Sequence, residues 1–457
     1  MGLVTSQVVD FPLSQVFSWH MRPGAFLRLS PPFAPIQPHQ EAHSLADGTA
    51  LLRFGSPCGP IWVAQHQPQD YRPPHRFVDV GTIPALGSLG ERFFYWRHQH
   101  DFTEVGEGTR ITDSVLSNVP GAMLRSMFAF RHAVLEKDLT AHRTMRQLRP
   151  EPMTVAITGA SGLVGRQLSA LLTTGGHRVI HLVRRKADQT ACVTDNDGNL
   201  IRSERFWDTN NPTADLLEGV DAVVHLAGAS IAGRFTDEHK KTIWSSRIGP
   251  TAALAHLAGT RPFICASAVG IYGNDRPEPV DETSCRGQGF LADVVQAWEA
   301  DAHTAAGRVV NIRTGIVQSS HGGVLGLQRP LYQAGLGGPL GGGQQWLPWI
   351  ALDDLIDIYY RALVDDRLHG PVNAVAPNPV KQKDWASSIG KVLHRPAFLP
   401  TPSQAPMLLL GSQGTRELAL ASQHVLPGVL ARIGHEFRYP QLTAALKHEL
   451  GREKLLT

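Results

Sequence analysis

Cysteine is scarce in these 457 residues: Cys58, Cys192, Cys265 and Cys285 lie far apart, with no C-x-x-C pair among them. That spacing argues against a disulfide scaffold or a zinc site and fits a reduced, cytoplasmic setting. Long apolar runs are missing as well. No stretch approaches the ~20 uninterrupted apolar residues of a membrane span, and Met407-Leu408-Leu409-Leu410 is short enough for one turn of a core helix. Near the start, Asp10, His20 and Arg22 interrupt any signal-peptide pattern. Net charge is small: 43 Lys and Arg face 40 Asp and Glu, for a formal +3 spread evenly along the chain. Neither nucleic acid nor an anionic membrane is expected as a partner. Internal repeats and low-complexity tracts are absent. What remains is an ordinary globular composition, 42% hydrophobic and 18% charged, in a chain long enough for two or three domains.

The most informative stretch is Val155-Ala156-Ile157-Thr158-Gly159-Ala160-Ser161-Gly162-Leu163-Val164-Gly165. A β-branched apolar run leads into glycines three apart, and an apolar-periodic helix follows. Glycine is needed where φ is positive or where backbone approaches a ligand closely. The helix N-terminus offers unpaired N–H groups and a positive dipole end, which suit a pyrophosphate. The spacing G-x-x-G-x-x-G departs from the G-x-G-x-x-G dinucleotide fingerprint. Its place between strand and helix is what gives it weight.

Residues 1–150 read as short strands separated by proline- and glycine-rich joins: Ile61–His66, Arg76–Val80, Phe93–Phe102 and Thr109–Leu116. Around Phe93, Tyr95 and the His98/His100 pair, residues alternate with a period of two, as in a half-buried antiparallel strand. Ala122 to Gln147 then runs without proline or glycine at helical spacing. A strand meander followed by one long helix suggests a curved sheet wrapped on that helix. His98-x-His100 puts two imidazoles on one strand face, but spacing places no third ligand. No metal site is expected, and the pair is read as solvated or cavity-facing. Phe128, Phe130, Tyr95 and Trp96 are read as core aromatics, with a ligand pocket as the alternative. Gln147-Leu148-Arg149-Pro150-Glu151-Pro152 ends the helix and closes this domain. The residues Phe17-Ser18-Trp19-His20, Arg22-Pro23-Gly24-Ala25, Arg28-Leu29, Pro31-Pro32 and Gly108-Thr109-Arg110-Ile111-Thr112-Asp113 resemble the START-like, polyketide-cyclase-type helix-grip superfamily. That resemblance implies an α+β helix-grip domain with a hollow able to hold an apolar ligand.

From 153 to 375, strand and helix signals alternate as in a doubly wound parallel sheet. Strands are expected at Thr154–Thr158, Arg178–Val183, a segment ending at Phe206-Trp207-Asp208, Ala222–Ala227, Pro262–Ser267 and Val309–Arg313. The helix Leu163–Thr173 stops at Gly175-Gly176. After the second strand an NAD site would carry Asp or Glu for the ribose 2′-hydroxyl. Arg184 and Arg185 stand there instead, and their guanidinium forks suit a 2′-phosphate, so NADP is the expected cofactor. A solvated basic pair is the plain alternative.

These pieces resemble the short-chain dehydrogenase/reductase superfamily in its extended or atypical branch. In that comparison Thr158, Gly159, Ser161, Gly162, Leu163, Val164 and Gly165 form the cofactor loop. Asp208 matches the aspartate that neighbours the adenine, and Leu226, Ala227 and Gly228 match the segment beside the ribose and pyrophosphate. Ser267, in Ala266-Ser267-Ala268-Val269-Gly270-Ile271-Tyr272-Gly273, matches the strand-five serine that hydrogen-bonds a substrate. Trp298-Glu299, Arg313-Thr314-Gly315-Ile316-Val317, Trp349-Ile350-Ala351-Leu352-Asp353-Asp354 and Gly370-Pro371-Val372-Asn373-Ala374-Val375-Ala376-Pro377 look like one subfamily of nucleoside-diphosphate-sugar epimerase-like proteins. The same likeness implies a small C-terminal helical region, 376–457, on the substrate side of the cleft.

One departure bears on chemistry. The superfamily's proton relay pairs a Tyr with a Lys one helix turn on, so that the ammonium lowers the phenol pKa. The matching helix reads Phe290-Leu291-Ala292-Asp293-Val294-Val295, without either. Tyr272 is the nearest phenol to Ser267 and is the candidate substitute, with packing as a loop aromatic the alternative. Asp281, Glu282 and Asp293 are further candidate acids, each read first as a solvated turn or helix charge. Asp353-Asp354 is read as a helix start needing only a cap and dipole role. Gly335 to Gly343 could close over a ligand or form plain turns. Two functions stay open: an NADP-dependent oxidoreductase or epimerase acting on a small molecule, and a non-catalytic NADP(H)-binding sensor or apolar-ligand carrier.

Overall fold

The computed structural model describes residues 2–55, 58–87, 95–185, 193–194 and 200–455. The expectations at Phe93 and Cys192 lie outside the described residues. Among the described residues Cys58, Cys265 and Cys285 are free, and no helix is long and apolar enough to cross a membrane.

The first seven strands are β1 (Gly2–Val9), β2 (Ile36–Gln40), β3 (Thr49–Phe54), β4 (Ile61–His66), β5 (Arg76–Thr82), β6 (Trp96–Val105) and β7 (Gly108–Ser117). They form one antiparallel sheet in the order β1-β7-β6-β5-β4-β3-β2. Helices α1 (Leu13–Met21) and α2 (Ala25–Arg28) join its first two strands, and the long α3 (Gly121–Leu148) follows its last. In β6 the even positions Trp96, His98, His100 and Phe102 are buried, whereas Tyr95 just before it is exposed. Tyr95 therefore lies off the inward face that the other aromatics share. Phe17, Trp19, Phe77, Phe102 and Phe130 fill one part of the space between sheet and helix. Trp62, Trp96, Leu124 and Phe128 fill another.

The histidine pair is not solvated: His98 and His100 are each 3% exposed. Asp113 Oδ1 lies 2.9 Å from His98 Nε2 and 2.8 Å from His100 Nδ1. Burial and the neighbouring His98 hold His100 well below the usual imidazole range, and its contact with Asp113 only partly offsets them.

After residues 149–153 comes an eight-stranded sheet. Its members are β8 (Thr154–Thr158), β9 (Arg178–Val183), β10 (Val193–Thr194), β11 (Leu200–Phe206), β12 (Ala222–His225), β13 (Phe263–Ala268), β14 (Val309–Thr314) and β15 (Gly370–Ala374). The order is β10-β11-β9-β8-β12-β13-β14-β15, parallel throughout except for the β10 edge. Strands buried on both faces need continuous apolar sequence, and Val155-Ala156-Ile157 of β8 and Ala222-Val223-Val224 of β12 supply it. Helices α4 (Leu163–Thr174), α5 (Pro250–Ala258), α6 (Phe290–Ala302) and α7 (Leu352–Val364) cover the sheet. The C-terminal region adds helices Gln382–Leu393 and Leu442–Glu449, packed on each other through Trp385, Ile389, Leu442 and Leu446.

Asp353 and Asp354 differ from expectation. Ala351 occupies the cap position of α7, and both carboxylates are buried in its first turn. Asp353 pairs with Arg28 of α2 at 2.9 Å, while Asp354 accepts from the backbone amides of Arg438 and Tyr439. They belong to an ionic cluster in which Asp138 of α3 binds Arg28 at 2.8 Å and Arg438 at 2.7 Å. The first 150 residues are thereby tied to the parallel sheet and to the C-terminal region.

Candidate dinucleotide site

β8, a central strand, carries Thr158 at its carboxyl end with the side chain buried. The Thr158 hydroxyl oxygen accepts from the amides of Leu226 at 3.0 Å and Ala227 at 3.1 Å. It lies 2.8 Å from His225 Nδ1, while His225 Nε2 lies 3.0 Å from the Thr251 hydroxyl. Burial brings the His225 pKa down to about 3. The neutral ring therefore accepts at Nδ1 and donates from Nε2. Thr158 thus locks the turn after β12 to the glycine loop.

Gly159 has φ +67°, and a Cβ there would stand 2.8 Å from the Leu226 carbonyl carbon. Gly165 lies against the loop backbone, where a Cβ would meet Ala160 Cα at 2.7 Å. Gly162 is different: its φ is −74°, and a Cβ would meet just the Gly159 oxygen at 3.2 Å. Two glycines are required by the fold, and at the third a Cβ would press on a single backbone oxygen. Ser161 and Gly162 are exposed, Leu163 and Val164 half-buried. No side chain caps α4, so its first-turn amides have no side-chain partner. This is the geometry a pyrophosphate needs, and the residues present fit a dinucleotide.

Around the loop, Arg184 and Arg185 follow β9 and are exposed. Arg185 reaches sideways to Glu204 of β11 at 2.7 Å. Asp208 is exposed, and its carboxylate accepts from the amides of Asn210 and Asn211 at 2.9 and 3.3 Å. Leu226 and Ala227 are half-buried and Gly228 exposed.

Two residues near the loop carry no sequence signal of their own. Arg247 lies against Gly228, where a Cβ would be 3.0 Å from the guanidinium carbon. It donates to the Ala229 carbonyl at 3.0 Å and covers the Trp298 ring at 4.9 Å. Burial lowers its pKa to about 10. His321 lies in the segment whose Gly322 adjoins Leu163. Its Nε2 is buried without a partner, and burial beside Arg166 and Arg329 lowers its pKa to about 4. Both come to the loop through tertiary packing, which neither spacing nor composition encodes.

Ser267 and Tyr272 belong to one buried network. The Ser267 hydroxyl donates to Glu299 Oε1 at 2.6 Å. Arg313 donates to both oxygens of Glu299, at 2.8 Å each, and to the Tyr272 hydroxyl at 3.0 Å. Tyr272 in turn donates to Asn373 Oδ1 at 2.8 Å. It is fully buried, and burial raises its pKa in spite of Arg313. A general base needs the opposite shift. The other candidate acids are also engaged. Asp281 accepts from Thr283, Glu282 from the amides of Asn373 and Val429, and Asp293 pairs with Arg286 at 2.7 Å.

Comparison with known proteins agrees with this geometry. The NAD dependent epimerase/dehydratase family matches residues 155–374, and a domain of unknown function, DUF1731, matches 401–449. The chloroplastic SDR39U1 homolog of Arabidopsis thaliana, an epimerase family protein, is 38% identical over 306 residues, spanning 65% of this chain and 86% of the relative. The crystal structure of human epimerase family protein SDR39U1 (isoform 2) with NADPH superposes with TM-score 0.58 at 31% identity, covering 65% of this chain and 99% of that one. The crystal structure of the nucleoside-diphosphate sugar epimerase from Corynebacterium glutamicum gives TM-score 0.83 at 44% identity, covering 99% of this chain and 91% of that one. Its match takes in the N-terminal antiparallel sheet as well as the nucleotide fold. The chain belongs to the NAD(P)-dependent epimerase family, in its SDR39U1-type branch with a C-terminal DUF1731 region.

Proposed function

We propose that the chain binds NADP(H) along the Gly159–Gly165 turn and acts as an oxidoreductase or epimerase on a small hydroxyl- or carbonyl-bearing molecule, a nucleotide sugar being one class. The observation that carries the reading is the turn itself: positive φ at Gly159, an exposed Gly162 and no side-chain cap at the start of α4. Exposed Arg184 supports the phosphorylated cofactor, as does the NADPH held by the human relative. Arg185 is drawn toward Glu204, so Arg184 is the residue assigned to the 2′-phosphate. Asp208 and Leu226-Ala227-Gly228 are assigned to the adenosine and ribose side.

The bound cofactor would supply hydride transfer. Ser267 is the assigned substrate contact, oriented by its bond to Glu299. Tyr272 is reassigned from acid/base to a positioning residue that holds Arg313 and Asn373. Residues 1–150 are proposed as a START-like helix-grip unit able to carry an apolar ligand, 153–375 as the nucleotide unit and 376–457 as the substrate side. A seven-stranded antiparallel sheet against one 28-residue helix supports the first assignment. The free cysteines support a reduced, cytoplasmic setting.

Titration of the purified chain should find NADPH bound more tightly than NADH, and Arg184→Ala should weaken NADPH binding while leaving NADH unchanged. Equal affinity for the two cofactors in the wild-type chain would end the NADP assignment. A second reading, an NADP(H)-binding sensor without turnover, is favoured by the first turns of α6, where Phe290-Leu291-Ala292-Asp293-Val294-Val295 holds neither Tyr nor Lys. Incubation with NADPH and a panel of carbonyl compounds and nucleotide sugars separates the two. Absorbance change or epimer formation supports the enzyme, and an unchanged panel supports the sensor.

A further inference from the structure

We infer that the N-terminal sheet holds a divalent transition-metal ion, bound by Asp79, His98 and His100. Register puts these residues together. Asp79 of β5 stands directly opposite His98 of β6, and His100 stands opposite Asp113 of β7. One ligand atom from each of Asp79, His98 and His100 lies within 4.8 Å of the others. Bonds of ~2.0–2.2 Å to imidazole and carboxylate need a modest inward closure from that spacing.

Asp113 prepares the two rings. It takes one nitrogen of each, His98 Nε2 at 2.9 Å and His100 Nδ1 at 2.8 Å. A neutral imidazole that donates from one nitrogen presents a lone pair at the other. His98 turns that second nitrogen, Nδ1, to within 3.7 Å of Asp79 Oδ1. Carboxylates behind ligating histidines fix ring tautomer and orientation in this way. Asp79 is itself held by the Trp96 indole, which donates to Oδ2 at 2.8 Å and leaves Oδ1 toward the rings.

The walls are rigid and the charge is right. Phe77 stacks on His100 with centroids 4.1 Å apart, and Phe128 of α3 meets His98 edge-on at 5.3 Å. His132 on α3 stands behind Asp113, its Nε2 3.8 Å from Oδ2. Asp79 and Asp113 bring two carboxylates, and Arg131 is the facing fixed cation. One negative charge is left over, which a dication complements. Two imidazoles and a carboxylate suit Zn²⁺, Fe²⁺ or Co²⁺ rather than Ca²⁺ or Mg²⁺.

Co²⁺ is the probe. The full chain, stripped with chelator and titrated with Co²⁺, should develop visible absorption that saturates at one equivalent and is displaced by Zn²⁺. His98→Gln/His100→Gln should abolish it, and Asp79→Asn, which keeps an acceptor for Trp96, should weaken Co²⁺ binding by at least about tenfold. Asp113→Asn should cost about 10- to 100-fold through lost ring orientation. Absence of stoichiometric Co²⁺ uptake overturns the site. So does binding that is unchanged in Asp79→Asn, which would assign the ion to exposed histidines such as His39 and His43. Should the double variant lose its circular dichroism, the Asp79→Asn titration decides.

Discussion

The Tyr272 hydroxyl has one proton and spends it on Asn373, while Arg313 occupies its oxygen. Removing that oxygen strands two buried groups, and a buried polar atom left without its partner costs ~1–3 kcal/mol. Tyr272→Phe should therefore lower unfolding stability by about 1–2 kcal/mol, read from the urea midpoint, with NADPH affinity unchanged. A stability equal to wild type, with loss of turnover, would return Tyr272 to the acid/base role. In the sequence Tyr272 stands five residues beyond Ser267, near the reacting end of a strand. What the sequence could not supply is the depth of that strand end. Glu299 of α6, Arg313 of β14 and Asn373 of β15 close over it from positions up to 101 residues away. The glycine loop was legible for the opposite reason: strand, turn and helix start are contiguous, and each glycine answers to a backbone only a few residues away or to the adjoining strand turn.

At the scale of elements, legibility followed the visibility of the apolar pattern. β4 and β9 have the expected bounds because turn residues flank clean runs. β1 carries no clear pattern, because Val4 and Val8 point outward, 71% and 54% exposed, and its apolar residues do not mark its inner face. β2 contains Pro38 and little apolar sequence, which an edge strand tolerates. The third metal ligand was hidden likewise, since Asp79 joins His98 through sheet register alone. The ionic cluster joining α2, α3, α7 and Arg438 is equally non-local. Asp138 at its centre is fully buried between two guanidinium groups. Breaking one partner of a buried pair costs ~3–5 kcal/mol because the remaining charge is uncompensated. Asp138→Ala should therefore destabilise the chain by that order in chemical denaturation, well beyond an exposed pair such as Arg143–Asp10. A loss below about 1 kcal/mol, the range of surface pairs, would show that the cluster does not hold the elements together.

For the whole molecule these buried groups set how stability varies with pH. His20, His177, His181 and His321 are lowered to about 4, and His142, His225 and His435 to about 3, chiefly by burial. Unfolded histidine takes up its proton near pH ~6.5, so below that pH the unfolded chain binds more protons and stability rises with pH. Asp354 and Glu449, raised by burial to about 7, and Asp357, raised by the same cause, act oppositely as pH climbs from the unfolded carboxylate range, but the lowered histidines outnumber them. His448 governs the alkaline side. Although burial opposes it, hydrogen bonds to Asp353 and Glu453 raise its pKa to about 9. Its stabilisation is complete below roughly pH 6.5 and is lost as pH rises through about 9. Thermal midpoints should therefore climb from acid to a maximum near pH ~6.5 and fall again toward pH 9. In His448→Gln, which keeps a donor for Asp353 but cannot titrate, the alkaline fall should largely vanish. Midpoints that stay level from neutrality to pH 9 in the wild type, or that fall just as steeply in the variant, would mean that His448 does not hold its proton between Asp353 and Glu453 in the folded chain.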